Sequence, residues 1–236
     1  MIRCLTLIAL TVLGTAAGCV NASDDTGSGS GDTRVNANST ATRSVNGSIH
    51  VPANKQNGNV STVNGSIRVD DDATLQDAQT VNGDIRIGAH ATAVSLGTVN
   101  GSITLGSGAH VSKGVKAVNG SVTLHDDSQV AGPITSVNGK IVLTTAHVGG
   151  GITTVNSDVN IGSNSRVEGG ILVKKQTSGL FHRNVGERRI VIGPGAVVQG
   201  NLMFEHTVQL YVSDRATIGS VSGATPIKFS GDNPPS

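Results

Sequence analysis

Two acidic clusters carry the side chains best suited to bind a metal ion. They are Asp70-Asp71-Asp72 and Asp126-Asp127, which stand at matching offsets in a repeated sequence. Carboxylate oxygens are the ligands that Ca²⁺ prefers in proteins. The two repeats between the clusters carry Gly88-Ala89-His90 and Gly106-Ser107-Gly108 at that offset, so the acidic residues form no continuous column. We therefore interpret them as solvated turn aspartates and predict neither a metal site nor a cofactor.

Histidines are the next candidates for metal binding or catalysis. When the repeats are aligned, one outward-facing column reads Thr74, Thr92, His110, Gln129, His147, Arg166. Two repeats separate His110 from His147, which is about 10 Å at the spacing of parallel strands and too far to share a metal ion. His90 and His125 fall at other offsets. We expect all four to be surface residues.

No catalytic motif accompanies these side chains. The sequence contains no nucleophile elbow, zinc-binding triad or phosphate loop. Its repeats are short and interrupted by one real insertion, which leaves little room for a substrate cleft. We predict that the chain is not an enzyme; the alternative, a polysaccharide-lyase-like enzyme, would need a cluster of carboxylates or cations. The net charge of +1 provides no global field to recruit nucleic acid.

The insertion, residues 174–189, is the best candidate contact site. Its five cations surround Leu180 and Phe181, and its predicted contact residues are Lys174, Lys175, Phe181, Arg183, Arg188 and Arg189. One hypothesis is that this loop engages an anionic partner or membrane surface, with Phe181 inserting. The alternative is an extruded loop in which Phe181 covers a corner of the core.

A recurring Val-Asn-Gly tripeptide must position these residues. Its valines are Val45, Val63, Val81, Val99, Val118 and Val137, and a seventh copy, Val155-Asn156-Ser157, has lost its glycine. Successive valines lie 18, 18, 18, 19, 19 and 18 residues apart. So regular a period is typical of stacked structural units that bury a continuous core together.

Two architectures compete for the tripeptide. Asn-Gly is a strong hairpin signal, but a hairpin would place Val63 and Ile67 on opposite faces of the strand pair. If the chain coils instead, with Asn-Gly at a corner, Val63, Ile67 and Val69 all point inward. We therefore predict an all-β, parallel, three-sided β-solenoid over residues 43–229, with nine or ten coils of about 18 residues. Right-handed winding is the default for such crossovers, and the rod would be roughly 45 Å long.

The corners of this solenoid should align in register. Stacked asparagine amides can then bond along the column, and each following glycine would permit a positive φ. The residues preceding the valines, mostly threonine or serine, are predicted to stabilise neighbouring strands. The predicted corner residues are Asn46, Gly47, Asn64, Gly65, Asn82, Gly83, Asn100, Gly101, Asn119, Gly120, Asn138, Gly139 and Asn156.

The first eighteen residues are typical of an export signal. Arg3 precedes an apolar run, and small residues lead to Cys19. The ending Ala-Ala-Gly-Cys resembles a bacterial lipobox, which implies lipidation of Cys19 and a membrane anchor, with the outer membrane as the expected location. An ordinary secretory signal with an incidental cysteine is the alternative. Residues 19–42, rich in Gly and Ser, are predicted to be a flexible tether, and residues 230–236 a disordered tail.

Two family resemblances add to this reading. The run from Ile192 to Leu202, Ile-Gly-Pro-Gly-Ala-Val-Val-Gln-Gly-Asn-Leu, resembles the repeats of bactofilins, which are polymer-forming solenoids. The Val-Asn-Gly-Ser-Ile repeats are similar to those of bacterial putative adhesins. Together they cover residues 43 to about 225 and imply a cell-envelope interaction module with an unknown ligand, or a self-associating scaffold. Neither family supplies a catalytic motif.

Overall fold

The computed structural model describes residues 25–27, 31–35, 39–175 and 187–235. Within these ranges every strand pairing is parallel and there is no helix, so the predicted β-solenoid, with about ten coils, is confirmed. The hairpin alternative is wrong. No helix in these ranges is long and apolar enough to cross a membrane.

The coils wind around three faces, and most of them contribute a short strand, or half of a longer one, to each face. The first face contains Asp25–Gly27, Ala41–Ser44, Asn59–Thr62, Asp77–Asn82, Ser95–Asn100, Val115–Asn119, the first halves of Ile134–Leu143 and Ile152–Ile161, Ile171–Val173, Leu202–Phe204 and Val221–Ser222. The Val-Asn-Gly corner follows it.

The second face follows that corner. It contains Thr33–Arg34, Ile49–Val51, Ile67–Val69, Ile85–Ile87, Ile103–Leu105, Val122–Leu124, the second halves of the two ten-residue strands, Arg188–Ile192, Val208–Ser213 and Pro226–Phe229. The third face contains Thr92–Ala93, His110–Val111, Gln129–Val130, His147–Val148, Arg166–Val167, Val197–Val198 and Thr217–Ile218. Single bridges from Gln56 to Thr74 and from Thr74 to Thr92 extend this face toward the N-terminus.

Stacked columns of apolar side chains fill the interior of the rod and form one continuous core. Ile67 and Val69 are fully buried and lie beside the equivalent residues of the neighbouring coils, as predicted. Val63 does not join them. The residue before it, Thr62, points inward instead, and Val63 lies half-buried on the outer surface. The prediction for the valines was wrong because the corner interrupts the strand. The alternation of inward and outward side chains therefore cannot be counted from one side of the corner to the other.

The solenoid begins before residue 43. Thr33–Arg34 pairs with Ile49 and His50, Asp25–Gly27 pairs with residues 42–44, and Val35 is 4% exposed. The tether prediction for residues 19–42 is therefore wrong for these strands. Their polar, glycine-rich composition gives little strand signal: among residues 31–35, Val35 is the one buried side chain.

The insertion is also shorter than predicted. Arg188 and Arg189 begin the strand Arg188–Ile192 and pair with Val208 and Gln209, so they belong to the solenoid. Lys174 and Lys175 are exposed and follow the strand Ile171–Val173. Phe181 and Arg183 lie outside the described residues, as do the signal sequence and Cys19.

Candidate functional site

The asparagines of the repeated tripeptide form a continuous hydrogen-bonded ladder. Each side-chain Nδ2 donates to the Oδ1 of the asparagine one coil earlier, from Asn64 to Asn46 at 2.9 Å through to Asn156 to Asn138 at 3.2 Å. The intermediate bonds measure 2.8–2.9 Å. The predicted amide column is confirmed, and all its bonds point in one direction along the rod.

Close approach between coils is common to the glycines of the tripeptide, whereas a positive φ, as predicted, occurs only at Gly120 (159°) and Gly139 (140°) among these six described corners. Gly47, Gly65, Gly83 and Gly101 do not adopt a positive φ in the left-handed range, so that prediction is wrong for them. A Cβ atom on Gly101 would instead overlap the carbonyl oxygen of Gly83, and the same overlap recurs in the neighbouring coils. The seventh copy accommodates Ser157 because the strand Ile152–Ile161 runs straight through this corner and turns the side chain inward.

Left-handed residues occur at the corner after the second face. Asn54, Asp72, His90, Asp127 and Asn164 have φ between 56° and 58° there. Asparagine and aspartate tolerate this conformation better than most residues. Thr145 occupies the same corner with a φ of 45°, although its branched Cβ is poorly suited to it.

A column of hydroxyl groups lies inside the rod beneath the ladder. Thr62, Thr80 and Thr98 each donate from Oγ1 to the carbonyl oxygen of the corner glycine one coil earlier, at 2.8–3.0 Å. All three residues are 4% exposed or less. These threonines therefore tie adjacent corners together from within. The sequence indicated a strand-stabilising column but not that it is buried.

The valines flank the ladder on the outside. Val45 is 54% exposed, and the six valines that follow it in the column are half-buried. The rod thus presents an apolar column and an amide column side by side over seven coils. Sequence analysis missed this surface because it assigned the valines to the core.

The acidic and histidine residues occupy turns and the third face, as predicted. Asp71, Asp72, Asp126 and Asp127 are exposed turn residues. His110 and His147 lie in one outward column, separated by Gln129 of the intervening coil. Within the described ranges, no three His, Cys, Asp or Glu side chains converge as a metal ion would require.

One carboxylate has a perturbed acidity. Asp70 Oδ2 lies 2.6 Å from His50 Nε2, and its Oδ1 accepts a bond of 3.2 Å from Arg68 Nε. Burial acts to raise the pKa of Asp70, but the hydrogen bonds and charges of His50 and Arg68 together outweigh it and lower the pKa. The group is a small surface ion cluster near the N-terminal coils.

The C-terminal tail crosses the second face near Arg189, one of the predicted contact residues, and near Arg215. Arg189 Nη2 donates to the carbonyl oxygen of Pro235 at 2.6 Å, and its guanidinium lies 4.8 Å from the ring centre of Tyr211. Arg215 pairs with Asp232 at 3.1 Å. A groove of about 490 Å³ remains beneath the tail, lined by residues that include Lys140 and Arg189. The tail residues up to Pro235 are thus held against the rod.

The last coil leaves one side of the stack open. Val221–Ser222, Pro226–Phe229 and Thr217–Ile218 pair only with the preceding coil in the described structure. Ile218 and Val221 face the core but are only partly buried, and Ile227 is 46% exposed.

Comparison of the chain with protein-family models, curated proteins and solved structures gave no significant match.

Proposed function

We propose that the chain is a non-catalytic lipoprotein of the cell envelope, in which a lipid on Cys19 anchors a β-solenoid interaction module of adhesin-like or structural type. The observation that carries the proposal is the pair of outward columns, asparagine and valine, repeated at every coil over seven coils. A surface that repeats at constant spacing suits contact with an extended partner. The lipobox-like sequence before Cys19 supports attachment to a membrane, with the outer membrane as the proposed location.

Metabolic labelling tests the anchor. Cells expressing the full chain are fed a labelled fatty acid and fractionated, and the protein is expected to carry label and to sediment with outer membranes. The Cys19→Ser variant is expected to lose the label and to leave the membrane fraction. An unlabelled wild-type protein in a soluble fraction would contradict the lipoprotein assignment.

Binding to envelope fragments and to anionic liposomes tests the contact surface. Five cations lie in the insertion or at its borders, with Arg188 and Arg189 in the strand that follows it. Replacing all five, Lys174, Lys175, Arg183, Arg188 and Arg189, by serine should weaken binding if this region engages an anionic surface. A matched variant replaces five cations elsewhere on the rod, namely Arg43, Lys55, Arg86, Lys113 and Lys116. Equal binding by the two variants would exclude the loop as the contact site.

A self-assembling envelope scaffold is the second candidate. The open edges and half-exposed Ile218 and Val221 of the last coil favour it, because unpaired strand edges template further pairing. Electron microscopy of the purified signal-less protein is expected to show filaments in this case. The Val221→Lys change, which places a charge on the open end, should shorten or abolish them. A monodisperse monomer would contradict the scaffold.

A further inference from the structure

The chain contains seven Asn-Gly dipeptides, six at the corners of the repeated tripeptide and one at Asn57-Gly58, and this dipeptide has a known chemical weakness. The backbone nitrogen of the residue after an asparagine can attack the asparagine side-chain carbonyl carbon. Glycine favours this attack because it has no Cβ to obstruct the ring that forms, and its backbone is the least restricted. A folded protein prevents the reaction when it immobilises the amide or the attacking nitrogen.

Interior corners immobilise both groups. The Nδ2 atoms of Asn82, Asn100 and Asn119 donate to the asparagine one coil earlier. The backbone nitrogens of the glycines that follow them donate in the other direction, each to the carbonyl oxygen of the asparagine one coil later at 3.0 Å. An attack at these corners must therefore break bonds to two neighbouring coils, which requires local opening of the stack.

Asn46 is the first asparagine, or first rung, of the ladder. It differs from the interior asparagines both in the bonding of its Nδ2 and in the bonding of the glycine nitrogen that follows it. Its Oδ1 accepts from Asn64, but its Nδ2 has no acceptor in the described part of the chain. Among the described residues, the backbone nitrogen of Gly47 donates to Ser44 Oγ alone, at 3.0 Å and within the same corner. Asn46 is also exposed, and the neighbouring Val45 is the most exposed valine of its column. Within the described residues, no hydrogen bond to a second coil holds Asn46 Nδ2 or the Gly47 nitrogen.

We propose that Asn46 is a site of spontaneous deamidation, and that the ladder protects the interior corners. The Gly47 nitrogen forms a bond to Asn46 Cγ, the Cγ–Nδ2 bond breaks, and ammonia leaves with the proton of the Gly47 nitrogen. Water then opens the resulting succinimide at either carbonyl and gives aspartate or isoaspartate. No oxidant or reductant takes part.

The first rung is the position where the aspartate product is tolerated. A carboxylate at position 46 still accepts the hydrogen bond from Asn64 Nδ2 and needs no donor of its own. At an interior rung, the carboxylate would have to replace an Nδ2 donor and would face the oxygen of the preceding asparagine. Isoaspartate differs, because it lengthens the backbone at the corner between Ala41–Ser44 and Ile49–Val51.

The test follows each asparagine separately in the full chain. The protein, purified in detergent, is incubated at neutral to mildly alkaline pH and digested, and peptide mass spectrometry measures the conversion of amide to acid. Asn46 is expected to react at least about tenfold faster than Asn82, Asn100 and Asn119, equivalent to about 1.4 kcal/mol in barrier. In a denaturant-unfolded control the four rates should converge. Equal rates in the folded protein, or a faster interior site, would overturn the proposal.

Moving the end of the ladder provides a second test. In Asn64→Ala, Asn82 Nδ2 loses its acceptor, and its deamidation is expected to accelerate about fivefold, the equivalent of one typical hydrogen bond. Asn64→Asp keeps an oxygen at that position, so Asn82 should stay protected in the matched variant. Circular dichroism verifies that both variants are folded. If Asn82 reacts at the same rate in the two variants, the amide ladder does not provide the protection.

Discussion

Alanine at Gly101 should destabilise the rod far more than alanine at Gly97, although both glycines lie in the same coil. A Cβ on Gly101 would overlap the carbonyl oxygen of Gly83, whereas the nearest atom to a Cβ on Gly97 is Gln79 Cγ at 3.9 Å. The oxygen belongs to the backbone of the preceding coil, so it can move only if the two coils separate. Such overpacking typically costs about 1–3 kcal/mol.

Two features of the structure determine the magnitude. Separation of the coils would stretch the bonds of Asn100 to Asn82 and of Thr98 to Gly83, which places the Gly101→Ala cost near the upper end, about 3 kcal/mol. Ser157 limits the cost, because its corner shows that the chain can straighten to accommodate a Cβ. Gly97→Ala has room and gains from a restricted unfolded chain, so it should be neutral or stabilising by up to about 1 kcal/mol.

Thermal unfolding followed by circular dichroism measures both variants. At about 2–4 °C per kcal/mol for a chain of this size, Gly101→Ala should lower the melting temperature by roughly 6–12 °C. Gly97→Ala should leave it unchanged or slightly higher. Equal loss in the two variants would refute close approach as the reason for the corner glycines and would point to the strand backbone instead.

Three further predictions concern other positions in the coils. Thr98→Val, which removes the buried donor to Gly83, should cost about 1–3 kcal/mol in urea unfolding, while Thr98→Ser should cost less because it keeps the hydroxyl; equal costs would contradict the hydrogen bond. Because the pKa of Asp70 is lowered in the folded state, its interactions with His50 and Arg68 stabilise the fold above about pH 4, and this contribution is lost as the pH falls through the folded pKa. The stability difference between wild type and Asp70→Asn should therefore shrink from pH 6 to pH 3, and a constant difference would argue against the charge effect. Thr145→Asn should raise stability by about 1 kcal/mol, measured by thermal unfolding, because it relieves a branched residue at positive φ; a loss would show that the Thr145 side chain is needed there.

The period of the sequence was sufficient to predict the architecture, the third-face column and the asparagine ladder. These features depend only on which residues are equivalent between coils. The direction of Val63 and the role of Gly101 could not be obtained in the same way. They depend on how the corner bends and on how closely it approaches the preceding coil, which no single repeat encodes. The strand at Thr33–Arg34 escaped prediction because a terminal coil needs few apolar residues.

Two surfaces could not be predicted from the sequence for a different reason. The groove beneath the tail joins Lys140 and Arg189 with residues 232–234, which are far apart in sequence and follow no repeat. The half-exposed Ile218 and Val221 differ from interior residues only because no coil follows theirs in the described structure. A periodic pattern describes what is common to all coils. It therefore does not predict the features of the terminal coils or the contacts that do not repeat.

The register of the ladder also makes the length of the rod adjustable. Each coil donates to the coil before it and accepts from the coil after it, so a duplicated unit of 18 residues would find the same partners on both sides. The rod would grow by one strand spacing, about 4.8 Å, while both ends kept their chemistry. The length of the rod is thus a quantity that gene duplication can change in fixed steps, without redesign of any single coil.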